Sequence, residues 1–192
     1  DVSACIEETL ASEGVSLKTG HRVVSAVSGE DVLLRLVDEQ NGDETSVPCD
    51  GVLFALGRKP RTVGFGLEDL GVALTGSGHI EVNDYLQTNY PNLYAVGDAA
   101  GPYQFTHTAS HMAWYAAVNA LFGTFKRFKV DYRVIPWCTF SSPEVARVGL
   151  NENEAKAAGL AFETTRFEEA ELDRAKADNA RQGFVKVLTA PG

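Results

Sequence analysis

The sequence has no run of basic residues, no long apolar stretch and only three cysteines. Its 17 Lys and Arg stand against 26 Asp and Glu, a net charge of -9, so it lacks the positive patch that neutralises nucleic-acid phosphates. No apolar segment approaches the roughly 20 residues that cross a bilayer, and the first residues lack the pattern of a signal peptide. We therefore expect no nucleic-acid partner and no membrane contact from this segment.

The cysteines and histidines form no metal-binding pattern. Cys5, Cys49 and Cys138 are too far apart in sequence for a close-spaced redox pair or a zinc knuckle, which predicts three buried free thiols and a location in the reducing cytoplasm. His107 and His111 stand four residues apart, but the acid of the HExxH pattern is missing. We predict no metal site.

Length and composition indicate folded structure without fixing the number of domains. A chain of 192 residues buries roughly 70% of its unfolded surface, enough for one domain or for parts of two. Apolar residues make up 44% of the chain and charged residues 22%, as in folded soluble proteins. Disorder is therefore a poor interpretation.

The first third of the chain reads as a helix followed by a small antiparallel meander. The run CIEETLAS has helical spacing and Gly14 ends it. Five short apolar or alternating runs follow between residues 15 and 57, namely VSLKTG, RVVSAV, DVLLRLVD, TSVP and DGVLFALG, with Asn41-Gly42 as a hairpin turn. The last run is apolar on both faces, which predicts a buried strand. Because no strand precedes the first helix, we expect an upstream βα segment to be missing.

Glycines and prolines separate the elements of the remaining two thirds. Pro60, within Arg58-Lys59-Pro60-Arg61, predicts a connector. The sequence then predicts a short helix in LEDLGVAL, a strand from Asn92 to Val96, a long helix in THTASHMAWYAAVNALFG, a helix started by a capping box at residues 151–154 and a terminal strand in GFVKVLTA. That strand would need partners, which we do not find in the sequence.

The most informative loop is NLYAVGDAAG. It carries Gly97, Asp98 and Gly101 from the end of an apolar strand to the start of a helix, where α/β proteins hold ligands. Glycine lets the backbone approach a ligand, and the free N–H groups of the helix can face a pyrophosphate. Asp98 either accepts hydrogen bonds from sugar-like hydroxyls or caps the following helix. The residues alone leave both interpretations open.

Two separated motifs, LFALGRKPRT and TNYPNLYAVGDAAG, together resemble the two-dinucleotide flavoprotein disulfide reductases, the family of dihydrolipoamide dehydrogenase, glutathione reductase and mercuric reductase. The resemblance extends over nearly the whole chain through three further stretches, FTHTASHMAWYAAVNALFG, PEVARVGLNENEA and ELDRAKADNARQGFVKVL. It implies an α/β and α+β fold in three parts: residues 1–57 from the nicotinamide domain, 58–129 from the FAD domain, and 130–192 from the start of a dimerisation domain.

The resemblance also implies cofactor-binding residues. Asp98 would bind the ribityl hydroxyls of FAD, and Ala99 would offer its N–H. Gly57 would lie beside NAD(P)H, and Val23 near its adenine end, although a strand valine is more often core. The flavin would also contact the segment Gln104, Phe105, Thr106 and His107. His111 would be structural, and Phe105, Trp114 and Tyr115 are more often core residues than cofactor contacts.

The implied function is electron transfer from NAD(P)H through FAD to a disulfide and then to a small-molecule or thiol/disulfide acceptor, in a homodimer. The family's FAD fingerprint, its CxxxxC disulfide, its first GxGxxG and its His-Pro dipeptide have no counterpart here, so we predict no catalytic residue in this chain and expect this piece of a longer enzyme to be inactive alone. Two alternatives stay open: a disulfide-free flavin NAD(P)H oxidase or transhydrogenase, and a non-catalytic interaction module.

Overall fold

The computed structural model describes residues 1–29 and 32–192. Glu30 and Asp31 lie outside the described residues, and Asp31 is the first residue of the predicted strand DVLLRLVD. The chain forms two compact units, residues 1–57 with 166–185 and residues 58–165 with 186–192. The three sequence-derived domains with boundaries at 57 and 129 stay predictions.

The first unit opens with the predicted helix and meander. Helix α1 (Val2–Ser12) begins at Asp1, whose side chain accepts the N–H of Val2. Strands β1 (His21–Ser28), β2 (Val32–Asp38) and β3 (Glu44–Cys49) form an antiparallel sheet in the order β1-β2-β3. The β2-β3 turn contains Asn41, whose Oδ1 accepts the N–H of Asp43 at 2.9 Å, as the Asn41-Gly42 signal predicts. The central strand β2 holds Leu36, the buried apolar side chain of this sheet.

Two of the five predicted runs are not strands. VSLKTG is irregular, and the prediction that VLFALG forms a buried strand is wrong. Leu53 is 92% exposed and Leu56 is 85% exposed. The physical reason is that none of the described residues forms a strand beside this run, so its backbone has no ladder to join and its side chains have no layer to cover them.

The second unit is built around one long helix. Its elements are helix α2 (Leu67–Leu70), a 3-10 turn (Gly97–Ala99), helix α3 (Thr106–Phe122), strands β4 (Trp137–Thr139) and β5 (Val145–Arg147), which pair antiparallel, and helix α4 (Glu152–Ala157). Val72, Ile80 and Ala95 form a buried cluster on which Ala99 and Ala100 pack. The core therefore supports the loop that holds Asp98.

The prediction of a strand from Asn92 to Val96 is also wrong. Tyr94 makes a single antiparallel bridge with Gln87, and no longer ladder forms there within the described part of the chain. The N–H of Ala95 bonds to the carbonyl of Leu86 at 3.1 Å. Asn83 fixes this turn because its Oδ1 accepts the N–H groups of Tyr85 and Gln87. The segment is held by a tight turn rather than by a sheet.

The C-terminal prediction holds for the helix and needs correction for the last strand. Asn151 and Glu154 form the predicted capping box of α4, with the N–H of Glu154 2.9 Å from Asn151 Oδ1. The terminal run is strand β7 (Phe184–Thr189), and it does have a partner, β6 (Glu163–Glu168). We missed β6 because its run ETTRFE carries no apolar alternation. Helix α5 (Asp173–Ala177) lies between them in sequence.

Two further findings concern the helices and the cysteines. None of the helices in the described residues is long and apolar enough to cross a membrane. All three cysteines are free, as predicted, but each is only partly buried, so their predicted full burial is wrong.

Candidate functional site

The loop after Val96 depends on a glycine that packs against α3. Gly97 is buried with φ +67°, and a Cβ built on it would lie 3.1 Å from the Cβ of Ala109. Its carbonyl accepts the N–H groups of Ala100 and Gly101, both at 3.0 Å. The absence of a side chain at Gly97 therefore lets this turn lie directly on α3 and places Asp98 at its surface.

Asp98 is held by an arginine 40 residues away in sequence. Arg58 Nη1 lies 3.0 Å from Asp98 Oδ2, and the two side chains are 64% and 46% exposed. The other carboxylate oxygen, Oδ1, accepts no hydrogen bond from any residue that the structure describes. Helix α3 has Phe105 at its N-cap and no side-chain cap. The capping interpretation of Asp98 is therefore wrong, and one carboxylate oxygen of this half-exposed side chain keeps its bonding capacity.

The first turn of α3 lies close after this loop in the chain. The first intrahelical bond runs from the N–H of Ala109 to the carbonyl of Phe105 at 3.0 Å. Within residues 1–29 and 32–192, the N–H groups of Thr106, His107 and Thr108 form no hydrogen bond, as is usual for donors at a helix start. The buried hydroxyl of Thr108 likewise has no partner among those residues. This helix start offers donors and a partial positive charge to an anionic group.

The aromatic side chains of this segment pack on one another. Phe105 and His107 stack with ring centroids 5.3 Å apart, and Phe105 also contacts Trp137 at 6.0 Å. His107 Nε2 lies 2.6 Å from the carbonyl oxygen of Pro136, and His111 Nε2 lies 2.8 Å from that of Asp131. Both histidines thus form hydrogen bonds with backbone carbonyl oxygens. No group of three or more His, Cys, Asp or Glu in the described ranges could hold a metal ion.

Two predicted cofactor residues, Val23 and Gly57, belong to the first compact unit. Gly57 has φ +100°, and no atom lies within 4 Å of the position that a Cβ would take. Val23 lies on β1 at a bulge between Val23 and Ser25, and its side chain is 48% exposed. The core alternative for Val23 is therefore wrong in this unit. Of the aromatic residues expected in the core, Trp114 is 54% exposed.

Sequence reasoning missed Arg58. We interpreted its segment as a basic connector, although the arginine stands inside LFALGRKPRT, one of the two motifs that carry the resemblance. The available signal was the occurrence of that motif together with the Asp98 motif in one sequence.

A glycine turn with an outward acid, followed by a long helix with open N–H groups, is the arrangement of a dinucleotide-binding α/β protein. The family model described as pyridine nucleotide-disulphide oxidoreductase matches residues 1–113, and the dimerisation domain of the same family matches residues 135–192. The chain belongs to the pyridine nucleotide-disulphide oxidoreductase family. This confirms the predicted family and the mixed α/β and α+β fold.

Relatives cover nearly the whole chain but are much longer. A dihydrolipoyl dehydrogenase of Thermus scotoductus is 34% identical over 98% of this chain, and a mercuric reductase of Staphylococcus aureus is 35% identical over 98%. The chain spans 40% and 34% of their lengths. Among solved structures, LpdA of Mycobacterium tuberculosis aligns with a TM-score of 0.82 at 27% identity, over 97% of this chain and 39% of its own. The HOCl-induced flavoprotein disulfide reductase RclA of Escherichia coli aligns with a TM-score of 0.82 at 25% identity, over 99% and 42%.

Members of this family, such as dihydrolipoyl dehydrogenase, use FAD and NAD(P)H, the two cofactors that the sequence predicts. The described residues fit a flavin. Asp98 has an open carboxylate oxygen for hydroxyl donors, Gly97 permits close backbone approach, and the first turn of α3 has unpaired N–H donors.

Proposed function

We propose that the intact protein is an FAD-dependent NAD(P)H oxidoreductase that passes electrons through FAD to a disulfide and then to an acceptor, and that this chain supplies the second part of its flavin site. The observation that carries the proposal is Asp98, whose Oδ2 is fixed by Arg58 while its Oδ1 is left for another donor. A carboxylate repels a phosphate but accepts strong hydrogen bonds from hydroxyl groups.

In this proposal each residue of the loop has one role. Asp98 accepts hydrogen bonds from the ribityl hydroxyls, and Ala99 offers its backbone N–H. The segment Gln104, Phe105, Thr106 and His107 lies along the flavin, where the N-terminus of α3 stabilises negative charge on the ring. The bound FAD supplies the electron-transfer chemistry, while the protein positions it and tunes its charge.

The nicotinamide part of the proposal rests on Gly57 and Val23. A glycine at φ +100° with no neighbour within 4 Å of its Cβ position allows a flat ring to approach the backbone. The exposed side chain of Val23 can cover an apolar ring face. These two residues would contact NAD(P)H.

The acceptor and the assembly belong to the same proposal. The names of the relatives, dihydrolipoyl dehydrogenase and mercuric reductase, support electron transfer through a disulfide to an acceptor, rather than the reaction of an oxidase. The match to a dimerisation domain over residues 135–192 and the exposed Phe140 and Val148 support a homodimer. A measurement of the molecular mass in solution would test this assembly.

The 192 residues contain no CxxxxC motif, so we expect this chain alone to be inactive. The three free thiols support a cytoplasmic location.

Replacement of Asp98 tests the flavin site. In the intact protein, Asp98→Ala removes the charged acceptor, and a decade in affinity corresponds to about 1.4 kcal/mol. We expect FAD to bind at least about tenfold more weakly, since bonds to a charged acceptor contribute about 1.5–3 kcal/mol. The measurement is the FAD dissociation constant, together with the flavin that is retained after dialysis.

Asp84→Ala is the matched control. Asp84 is an exposed aspartate of the same unit that pairs with a basic side chain, Lys129, at 2.8 Å, and its removal should leave flavin binding unchanged. An Asp98→Ala protein that keeps its flavin as the parent does would contradict the proposed site.

A further inference from the structure

The guanidinium of Arg58 holds two acceptors from different parts of the second unit. Its Nη1 donates to Asp98 Oδ2 at 3.0 Å, and its Nη2 donates to the carbonyl oxygen of Gln104 at 2.9 Å. The two donors belong to one rigid planar group, so they fix the spacing of the two acceptors. Arg58 therefore links the Asp98 loop to the residue that precedes α3 by two positions.

Fold stability does not account for this arrangement. Arg58 and Asp98 are 64% and 46% exposed, and ion pairs as exposed as this contribute only about 0–1 kcal/mol. Two further basic side chains of the same segment, Lys59 and Arg61, are exposed and form no ion pair with the residues described. Of the three neighbouring basic residues, Arg58 is therefore the one that pairs with an acidic side chain.

The two contacts orient the Asp98 carboxylate and the backbone before α3. Because Arg58 occupies Oδ2, the carboxylate is oriented with Oδ1 available. Because Arg58 also donates to the carbonyl oxygen of Gln104, it holds the backbone just before α3 in place. One side chain thus positions both the acid and the backbone before α3 in the proposed flavin site.

We propose that Arg58 is a positioning residue for the flavin: it orients Asp98 and the start of α3 without contacting the cofactor itself. This inference rests on the proposed function, because it gives Arg58 a role only if Asp98 binds FAD. A lysine in its place keeps the charge but loses the rigid fork, so charge alone does not reproduce the role.

The test is a double-mutant cycle for FAD binding in the intact protein. Arg58→Ala should weaken FAD binding about tenfold in the parent background and clearly less in the Asp98→Ala background, since residues that act through one another are not additive. Arg58→Lys should restore only part of the loss. Arg61→Ala, which removes an equal charge from the same segment, should bind FAD as the parent does. The flavin absorption spectrum, which reports the surroundings of the ring, should shift in Arg58→Ala and not in Arg61→Ala.

The outcomes separate the two proposals. If Asp98→Ala binds FAD normally, the flavin site itself fails. If Asp98→Ala loses FAD while Arg58→Ala binds it normally, only the role of Arg58 fails. Additive losses in the double variant would overturn positioning in favour of an independent effect. Should Arg58→Ala misfold, Arg58→Gln, which keeps a planar donor group, takes its place in the same cycle.

Discussion

Gly97 and Ala109 approach so closely that a Cβ on Gly97 would lie 3.1 Å from the Cβ of Ala109. This contact joins the Asp98 loop to the first turns of α3 with only the methyl group of Ala109 between them. Gly97 also has φ +67°, a backbone conformation that side-chain-bearing residues adopt only with strain. Two independent requirements therefore favour glycine at the base of the candidate site.

We expect Gly97→Ala to destabilise the protein by about 1–3 kcal/mol, because the strained backbone and the crowding of Ala109 act together. Urea unfolding measures the loss. Gly76→Ala is the control, since Gly76 has no positive φ and open space around it, and it should change stability by less than about 0.5 kcal/mol. Equal stability of the two variants would show that the turn does not need its glycine.

The capping box of α4 gives a second prediction. Asn151 accepts the N–H of Glu154, and the Glu154 side chain bonds back to the N–H of Asn151 and to Arg147. Asn151→Ala should cost about 1 kcal/mol of unfolding free energy. Asn153→Ala, which changes an exposed asparagine inside the same helix, should be neutral or slightly stabilising because alanine favours helix. A thermal-unfolding midpoint lowered equally by both changes would contradict the capping role.

Asp131 gives a prediction about pH. Hydrogen bonds from the Arg133 guanidinium, reinforced by the Arg133 N–H, lower the pKa of Asp131 from 3.8 to about 2. Because the folded pKa lies below the ordinary one, the contribution of this pair to stability is present above about pH 4 and is lost as the pH falls toward 2. Carboxyl NMR titration measures the pKa directly.

The matched variant for that titration is Arg133→Ala. It removes the side-chain bonds to Asp131 at 2.6–3.1 Å but keeps the backbone N–H bond, so the pKa of Asp131 should rise part of the way toward 3.8. Arg127→Ala, whose guanidinium bonds to Gly123 instead, should leave it unchanged. An Asp131 that titrates identically in the Arg133→Ala protein would show that the guanidinium is not the cause.

Helices in this chain depend on local sequence signals, whereas strands depend on partners that are distant in sequence. Helices α1, α3 and α4 follow from helical spacing, Gly14 and the Asn151–Glu154 box, all of which are contained within a few residues. The strands were harder to predict, because a strand exists only through its partner. VLFALG has the apolar character of a strand but no neighbouring strand among the described residues, whereas the polar run ETTRFE pairs with β7.

The sequence by itself determined the family, the two cofactors of that family and the positions of helices α1, α3 and α4, because motifs and helix signals are contained in neighbouring residues. Only the tertiary structure decided what Asp98 does with its two oxygens. Its partner Arg58 is 40 residues away, and no local pattern predicts a contact over that separation. The physical reason is that hydrogen bonding by an exposed carboxylate depends on which donors the folded chain brings within about 3 Å.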